Sequence, residues 1–447
     1  MSQGPDEPRA DLESRRVLET WWPLAGSWLL MAAELPLVSA VVARLPDPTV
    51  HLAAIGGIVF PLALLVESPI IMLLAASTAL SRDRTSYLRL LRFTNGAGLV
   101  LTLCHVVLAF TPAYDLVVER LLHAPPEIRE PARLGLRLLV PWTWAIAHRR
   151  FHQGVLIRHG RSRAVGMGTG VRLLANSLVL FGGFLAGELP GTAVAAAALS
   201  TGVLSEAAYV RLRVRPVLRG ELRHPVPSEP ALTRLGFLRF YVPLAMTSLL
   251  NLLMEPIGAA AIGRMPRALD SLAIWPVISG FVFMVMSLGV AFNEVVVALL
   301  GQPGARRVLR RFALGLAAFS ILPLLVPALC PPVASLLLET VTGLPRHLAT
   351  LAQRGLWFAL PLPGLAVVQS WYQGNLVYSR RTRGIPESLG LFLLTASAVA
   401  FTGVLWGGAP GLFVGLAALV TGGGVQALWL RRRCHRAWRE EALRPAA

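Results

Sequence analysis

Three glutamates lie inside long apolar stretches of this sequence, and each is close to a proline. Glu34 precedes Pro36 by two residues, Glu255 is followed directly by Pro256, and Glu67 lies two residues before another proline. A proline removes a helical hydrogen bond and frees a backbone carbonyl. An acid beside such a break can bind a proton or Na⁺ and couple it to transport, or it can form an ion pair that stabilises a bend. Both interpretations stay open for all three glutamates.

Three arginines in similar surroundings can bind an anion. Arg133 and Arg137 are four residues apart, so they share one face of a helix. Arg354 lies in the corresponding stretch of the second half of the chain. A guanidinium group binds phosphate and carboxylate through two parallel hydrogen bonds. In the alternative, these long side chains reach outward to lipid headgroups.

Uncharged polar residues and one histidine complete the set of candidates. We expect Asn176 and Gln369 to line a cavity, whereas His105 is either a proton relay or a hydrogen-bonded histidine of the helix bundle. Gln153 and Gln373 each precede a glycine, and this pair of residue types is interpreted as a packing and gating element. We predict no catalytic residue, no metal site and no cofactor; the only ion expected is a coupling ion, H⁺ or Na⁺.

Long apolar elements must position these residues. Hydrophobic residues make up 55% of the chain, charged residues only 15%, and the mean hydropathy is +0.60. Stretches of about 20 apolar residues are long enough to cross a bilayer, and inside lipid they must be helical to satisfy their backbone. The sequence therefore predicts an all-α membrane protein that has the lipid bilayer as a partner. We predict about twelve spans, near residues 20–44, 50–80, 88–111, 132–157, 166–187, 190–213, 236–262, 268–300, 307–331, 346–378, 385–407 and 409–431.

The charge pattern predicts the orientation. The net charge is +18 and every basic residue other than histidine is arginine. These arginines are concentrated in alternate connections between spans, which argues against nucleic acid as a partner and places those connections in the cytoplasm. We therefore expect a multi-pass protein of the cell (inner) membrane with both termini cytoplasmic. Arg149 and Arg150 are assigned to such a connection, and Glu206 and Glu294 are interpreted as interfacial partners of nearby arginines.

The chain is also internally duplicated. Pro36, Arg44 and Gly154 recur 220 residues later as Pro256, Arg264 and Gly374. Six spans in each half is an even number, so the two repeats run parallel across the membrane. We predict a cytoplasmic segment at 1–19, an N-lobe at 20–213, a cytoplasmic linker at 214–235, a C-lobe at 236–431 and a cytoplasmic tail at 432–447.

Three segments resemble the progressive ankylosis protein family, which belongs to the MATE-like multidrug/oligosaccharide/polysaccharide exporter superfamily. They are residues 21–24 (Trp-Trp-Pro-Leu), residues 81–85 (Ser-Arg-Asp-Arg-Thr), and residues 141–159, which contain Trp144 and His148. The resemblance implies a MATE-like fold of two six-helix lobes and the export of anions such as pyrophosphate, nucleotides or citrate. The long acidic C-terminal tail of that family is missing here.

The function favoured by these features is secondary active transport. A polar solute, with an anion preferred, is exported by alternating access between the two lobes, and the protein acts as a monomer on a small-molecule substrate. The chain has no phosphate-binding loop of the GxxxxGK[ST] type, and without lysine it can form none. A lipid-linked oligosaccharide flippase and a cationic multidrug exporter are the alternatives within transport. An integral membrane enzyme is the alternative of another class, and the duplication and the missing catalytic motifs argue against it.

Overall fold

The computed structural model describes residues 12–223, 234–379 and 381–442, and every regular element in these ranges is helical. Parts of the predicted N-terminal segment, linker and tail lie outside the described residues. Eleven helices in the described part of the chain are long and apolar enough to cross a membrane. They are Ser14–Val42, Pro48–Leu80, Arg84–Phe110, Ser162–Ala186, Gly191–Arg219, Leu235–Ile262, Ala268–Leu299, Ala305–Leu329, Arg346–Tyr378, Gly384–Trp406 and Gly411–Arg439. The expected all-α, multi-pass architecture is confirmed.

The fourth predicted span is also a helix, Pro126–Arg158, but its many charges keep it out of the apolar set. It has 33 residues, which at a rise of about 1.5 Å per residue gives roughly 50 Å of helix. The hydrocarbon core of a bilayer is only about 30 Å thick. A helix of this length carries charged residues several turns inward from its end.

The first and seventh predicted spans are broken in the same way. Ser14–Ala32 is followed by Glu34–Val42, and Arg234–Leu252 is followed by Met254–Ile262. Each break comes two or three residues before a proline, whose missing N–H removes one intrahelical bond. Short π-helical segments occur as well, at Leu116–Leu121 and Leu336–Val341.

The bounds of these elements repeat at the offset seen in the sequence. Glu34–Val42 and Met254–Ile262 are 220 residues apart at both ends, as are the π-helical segments Leu116–Leu121 and Leu336–Val341; a third such segment, Ile55–Val59, corresponds to α-helix in the second half. Residues with positive φ recur at the same spacing. The pairs are Asp47 with Arg267, His123 with Gly343, and Gly187 with Gly407. The duplication therefore extends to the local conformation of the backbone.

The chain forms two compact units whose limits differ from the sequence halves. One unit is Val38–Pro276, and the other joins Met1–Leu37 to Val277–Ala447. The helix Leu235–Ile262 thus belongs with the first half, and Ser14–Ala32 belongs with the second. The lobes predicted at 20–213 and 236–431 stay a prediction about the two repeats.

Aromatic side chains anchor these two exchanged helices within their units. In the unit that contains the C-terminus, Trp21 donates a 2.9 Å hydrogen bond from Nε1 to the Leu288 carbonyl and packs edge-on against Phe312. In Val38–Pro276, the Tyr241 hydroxyl donates to the Pro69 carbonyl, and its ring lies 5.0 Å from that of Phe93. This bond satisfies a carbonyl in the proline-containing turn after Glu67.

Candidate functional site: a buried charge cluster

Four helices of the Val38–Pro276 unit bring a group of charged residues together in its interior. Arg149 and Gln153 share one face of Pro126–Arg158, because they are four residues apart. Small residues let the helices approach closely: a Cβ atom added to Gly202 would lie 3.1 Å from the Arg172 carbonyl oxygen. We call the group the charge cluster; its members are Glu67, Arg149, Arg150, Gln153, Arg172 and Glu206.

Glu206 is the central acceptor of the charge cluster. Its Oε2 atom lies 2.7 Å from Nη1 of Arg149 and 3.6 Å from Nε of Arg172. Its Oε1 atom accepts a 2.8 Å hydrogen bond from Nε2 of Gln153. The Glu206 side chain is fully buried, and that of Arg149 is only 6% exposed. Both carboxylate oxygens are therefore held by donors from neighbouring helices.

Glu67 supplies a second carboxylate without comparable partners. It is 1% exposed, and Arg149 and Arg150 act on it electrostatically. Among the described residues, its Oε1 atom has no hydrogen-bond partner, and the same holds for Nε of Arg149 and of Arg150 and for Oε1 of Gln153. The charge cluster thus contains both donors and acceptors that can take up another polar group.

The charge balance of the cluster is positive. Arg149, Arg150 and Arg172 oppose the two carboxylates of Glu67 and Glu206, so the net charge is +1 when both acids are ionised. A charge at the bilayer centre costs about 2.5–3.5 kcal/mol on insertion scales, and buried ion pairs seldom stabilise a fold better than apolar residues do. Five charges in one interior are therefore an expensive arrangement, which points to a function other than packing.

The second half of the chain shows that the fold does not require these charges. The residues 220 positions after Glu67, Arg149 and Glu206 are Ser287, Gln369 and Gln426, and all are uncharged. Arg150 corresponds to Ser370 and Arg172 to Phe392. Gln369 donates a 2.9 Å hydrogen bond to the Gly423 carbonyl. This bond joins two helices without using a charged group. The charge cluster is specific to the first repeat.

Two sequence-based assignments in this region are wrong. Glu206 does not pair with an arginine at the membrane interface, because Arg149 and Gln153 hold it in the interior. Arg149 is 5% exposed, so it is not part of an exposed connection. Arg172 was missed entirely. The useful signal was the length of Pro126–Arg158, which continues nine residues beyond Arg149 and places it well inside the helix.

The other proline-associated glutamates lie elsewhere. Glu34 is the first residue of Glu34–Val42, whereas Glu255 is the second residue of Met254–Ile262, so they are one position apart in the repeat. Pro36 packs close to Gly280. Glu255 accepts a hydrogen bond from the Trp275 side chain, and Pro256 next to it is buried.

The three arginines proposed as anion ligands are at or near the protein surface. Arg133 pairs with Asp115 at 3.1 Å and stacks on Tyr114, 4.7 Å from the ring centre. Burial raises the pKa of the Tyr114 hydroxyl, which donates to the Arg129 carbonyl. Arg137 and Arg354 are exposed; Arg137 lies 5.1 Å from the ring centre of Phe110. Arg133 would have to leave its carboxylate partner to bind a substrate anion.

The remaining candidates are buried or half-buried in the helix packing. His105 is fully buried, and its Nδ1 lies 2.8 Å from the Thr143 hydroxyl. Asn176 is fully buried next to Gly202, one helical turn from Arg172 of the charge cluster. Gln373 accepts a 3.5 Å hydrogen bond from Asn293. In the described part of the chain, no group of three His, Cys, Asp or Glu residues is arranged to hold a metal ion.

Solved structures of membrane transporters have the same fold. An inward-facing multidrug resistance MATE family transporter of the MOP superfamily superposes with a TM-score of 0.71 at 15% identity, covering 93% of this chain and 98% of that one. Lipid II flippase MurJ, in an inward closed conformation, gives 0.68 at 12% identity, with coverage of 94% and 91%.

A third structure differs in its reported site. A MOP superfamily transporter from Pyrococcus furiosus gives a TM-score of 0.59 at 17% identity, covering 96% of this chain and 97% of that one, and its binding pocket is described as having reverse polarity that suggests a different function. A search against protein-family models finds no match, and a search of curated proteins finds none either. Nearly the whole chain therefore has a MATE-like fold, at sequence identities that establish the fold alone.

Proposed function

We propose that this protein is a secondary membrane transporter that exports a polar, anionic solute by alternating access. The observation that carries this proposal is the charge cluster, in which two buried arginines, Arg149 and Arg172, and the half-buried Arg150 lie near two buried carboxylates. Guanidinium groups bind carboxylate and phosphate with directed hydrogen bonds. Membership of the progressive ankylosis family, with its pyrophosphate, nucleotide and citrate class of substrates, belongs to this proposal.

The driving force follows from the charge of the solute. A membrane potential that is negative inside favours the exit of each negative charge by about 2.3 kcal/mol per 100 mV. The membrane potential therefore supplies a driving force for anion export that does not require hydrolysis of ATP. We place the protein in the inner membrane with its arginine-rich connections in the cytoplasm, where the outgoing anion is collected.

Glu67 is the group that we propose for proton coupling. When it takes up a proton, the net charge of the cluster rises from +1 to +2, and an anion is bound more tightly. By linkage, a bound anion then raises the affinity of Glu67 for the proton by the same factor. Glu34 and Glu255 are secondary candidates for coupling because each lies at a helix break.

A transport screen in proteoliposomes tests the substrate class. Citrate, pyrophosphate, ATP and cationic dyes are offered under imposed H⁺ gradients, Na⁺ gradients and membrane potentials. We expect movement of at least one anion, accelerated when the potential on the anion-loaded side is negative. Movement of the dyes alone would establish a cationic exporter instead. Exchange of a fluorescent lipid-linked sugar between leaflets, without movement of any anion, would establish a flippase.

A further inference from the structure

A second basic site lies far along the chain from the charge cluster, within the unit that contains the C-terminus. It is an open cavity of about 770 Å³, formed by the ends of three helices. This volume falls in the range of about 300–1,000 Å³ that is usual for small-molecule sites. The lining residues discussed below come from Ala305–Leu329 (Arg306, Arg307, Arg310, Arg311), Pro361–Tyr378 (Trp371, Tyr372) and Gly411–Ala442 (Arg431, His435, Trp438).

Charge is concentrated on the rim of this cavity. Five arginines and one histidine reach it, and none of the described residues that line it is acidic. The opposite face of Gly411–Ala442 is built differently, because Arg433 there pairs with Glu387. Arg433 thus has a carboxylate partner of its own, whereas the described lining of the cavity contains no carboxylate.

Aromatic residues form the floor. Trp371 is 5% exposed and belongs to the hydrophobic core of this unit, and Trp438 packs against the same core. The Arg306 guanidinium lies over the Trp438 ring, 4.7 Å from its centre. This stacking fixes the direction of one guanidinium group toward the cavity and reduces the side-chain entropy lost when a ligand binds.

The site is not an inherited feature of the repeat. The residues 220 positions before the four arginines of Ala305–Leu329 are Ser86, Tyr87, Leu90 and Leu91. The corresponding helix of the first half, Arg84–Phe110, is therefore uncharged at these four positions, although it carries arginines elsewhere. Mutual repulsion among like charges opposes such a grouping unless an anion offsets it.

We propose that this cavity is a binding site for a phosphate group. Several guanidinium groups that converge from two helices match the tetrahedrally arranged oxygens of a phosphate better than the two coplanar oxygens of a single carboxylate. The phosphate belongs either to a free anion or to the headgroup of an anionic phospholipid, because the same contacts recognise both. The inference is independent of the proposed transport function, since it concerns binding at equilibrium.

Binding measurements on the full-length protein test this site. The protein is placed in phosphatidylcholine nanodiscs, with and without phosphatidylglycerol. Radiolabelled pyrophosphate probes the free anion, and native mass spectrometry counts retained phosphatidylglycerol. In the Arg310→Gln/Arg311→Gln variant we expect the affinity for one of these probes to fall by about tenfold or more, as expected for the loss of two charge-assisted contacts.

A matched variant controls for net charge. Arg432→Gln/Arg436→Gln removes two exposed arginines near the same helix end that do not line the cavity, and its affinity should stay within about twofold of wild type. Arg310→Lys/Arg311→Lys should retain an intermediate affinity, because charge persists without the planar fork. Loss of pyrophosphate binding assigns the site to a free anion, and loss of phosphatidylglycerol assigns it to lipid. Equal binding of both probes by wild type and Arg310→Gln/Arg311→Gln, or no binding by wild type, would overturn the proposal.

Discussion

Arg149 and Glu206 are buried partners, so removing either one leaves the other charge unpaired inside the helices. We expect Glu206→Gln to destabilise the protein by about 3–5 kcal/mol, the usual result of breaking one side of a buried pair. The double variant Arg149→Gln/Glu206→Gln copies Gln369 and Gln426 of the second half, so it should recover part of this loss. Thermal unfolding of wild type, Arg149→Gln, Glu206→Gln and the double variant in detergent measures the effect. Additive losses would show that the two side chains do not interact.

Glu67 is the residue whose protonation should alter anion affinity. Because a proton on Glu67 adds one positive charge to the cluster, anion affinity should rise as the pH falls through the range in which Glu67 titrates. Glu67→Gln fixes the neutral form, so its affinity should equal the low-pH value of wild type and no longer depend on pH there. Anion binding measured over a pH series checks this. An unchanged pH profile in Glu67→Gln would assign the proton site to another group, such as Glu34 or Glu255.

At the scale of elements, Gly154 sets the distance between two helices. An added Cβ at this position would lie 1.8 Å from Oγ of Ser77 and 2.4 Å from the Leu74 carbonyl oxygen. Gly154→Ala should therefore separate Pro126–Arg158 from Pro48–Leu80 and lower stability by about 1–3 kcal/mol or more. Gly166→Ala is the control, because nothing lies within 4 Å of its added Cβ. Equal unfolding midpoints for the two variants would contradict this account of the helix contact.

The start of Arg84–Phe110 depends on a capping box. Oδ1 of Asp83 accepts a 2.7 Å hydrogen bond from the Ser86 N–H, and Oγ of Ser86 accepts one from the Asp83 N–H. The Ser86 backbone donor holds the pKa of Asp83 below its ordinary value of 3.8. A lowered folded-state pKa gives stability that is present above the unfolded value and is lost as the pH falls through the folded value.

Asp83→Ala should cost about 1 kcal/mol at neutral pH through loss of the cap. Asp83→Asn keeps an acceptor but cannot ionise, so the difference between it and wild type should disappear in acid. Unfolding midpoints at neutral and acidic pH measure both effects. If wild type still unfolded at a higher midpoint than Asp83→Asn at a pH below the folded-state pKa of Asp83, the ionised carboxylate would not be the source of the extra stability.

At the scale of the whole molecule, the pattern of apolar segments predicted the helices well. The spans expected at 346–378 and 385–407 agree closely with Arg346–Tyr378 and Gly384–Trp406. The duplication could be predicted from the sequence because prolines and glycines constrain the backbone and recur at a fixed offset. The helix breaks before Pro36 and Pro256 occur at equivalent positions of the two repeats. The burial of individual charged residues could not be predicted from the sequence. Arg149 and Arg158 both lie in an arginine-rich stretch, but only Arg158 is near the end of its helix.

The ion-pair partner of Glu206 could not be predicted from the sequence either. Glu206 lies five residues before Arg211 but pairs with Arg149, which is 57 residues away along the chain. Such long-range pairs depend on how four helices pack, and this packing cannot be inferred from the spacing of charged residues along the sequence. The exchange of Ser14–Ala32 between sequence halves is of the same kind, because it requires knowledge of which unit buries Trp21.

The orientation of the molecule is a prediction for cysteine labelling. In a background in which Cys104, Cys330 and Cys434 are replaced, Gly220→Cys should react with an impermeant thiol reagent only after the membrane is opened, because the arginine pattern places this connection inside the cell. His123→Cys, in a connection that the same arginine pattern predicts to lie outside the cell, serves as the positive control in intact cells. Labelling of Gly220→Cys in intact cells would invert the topology.

Anion counterflow in proteoliposomes tests whether the charge cluster serves anion transport. The measurement compares wild type with Arg150→Gln, and with Arg163→Gln as an exposed-arginine control, after equal folding is verified by thermal unfolding. Arg137→Gln and Arg354→Gln, run in parallel, test the sequence-based proposal for those residues. Loss of one charge-assisted contact of about 1.5–3 kcal/mol should weaken anion affinity roughly ten- to hundredfold in Arg150→Gln, with Arg163→Gln close to wild type. Wild-type affinity and rate in a folded Arg150→Gln protein would contradict the assignment of the charge cluster to anion transport.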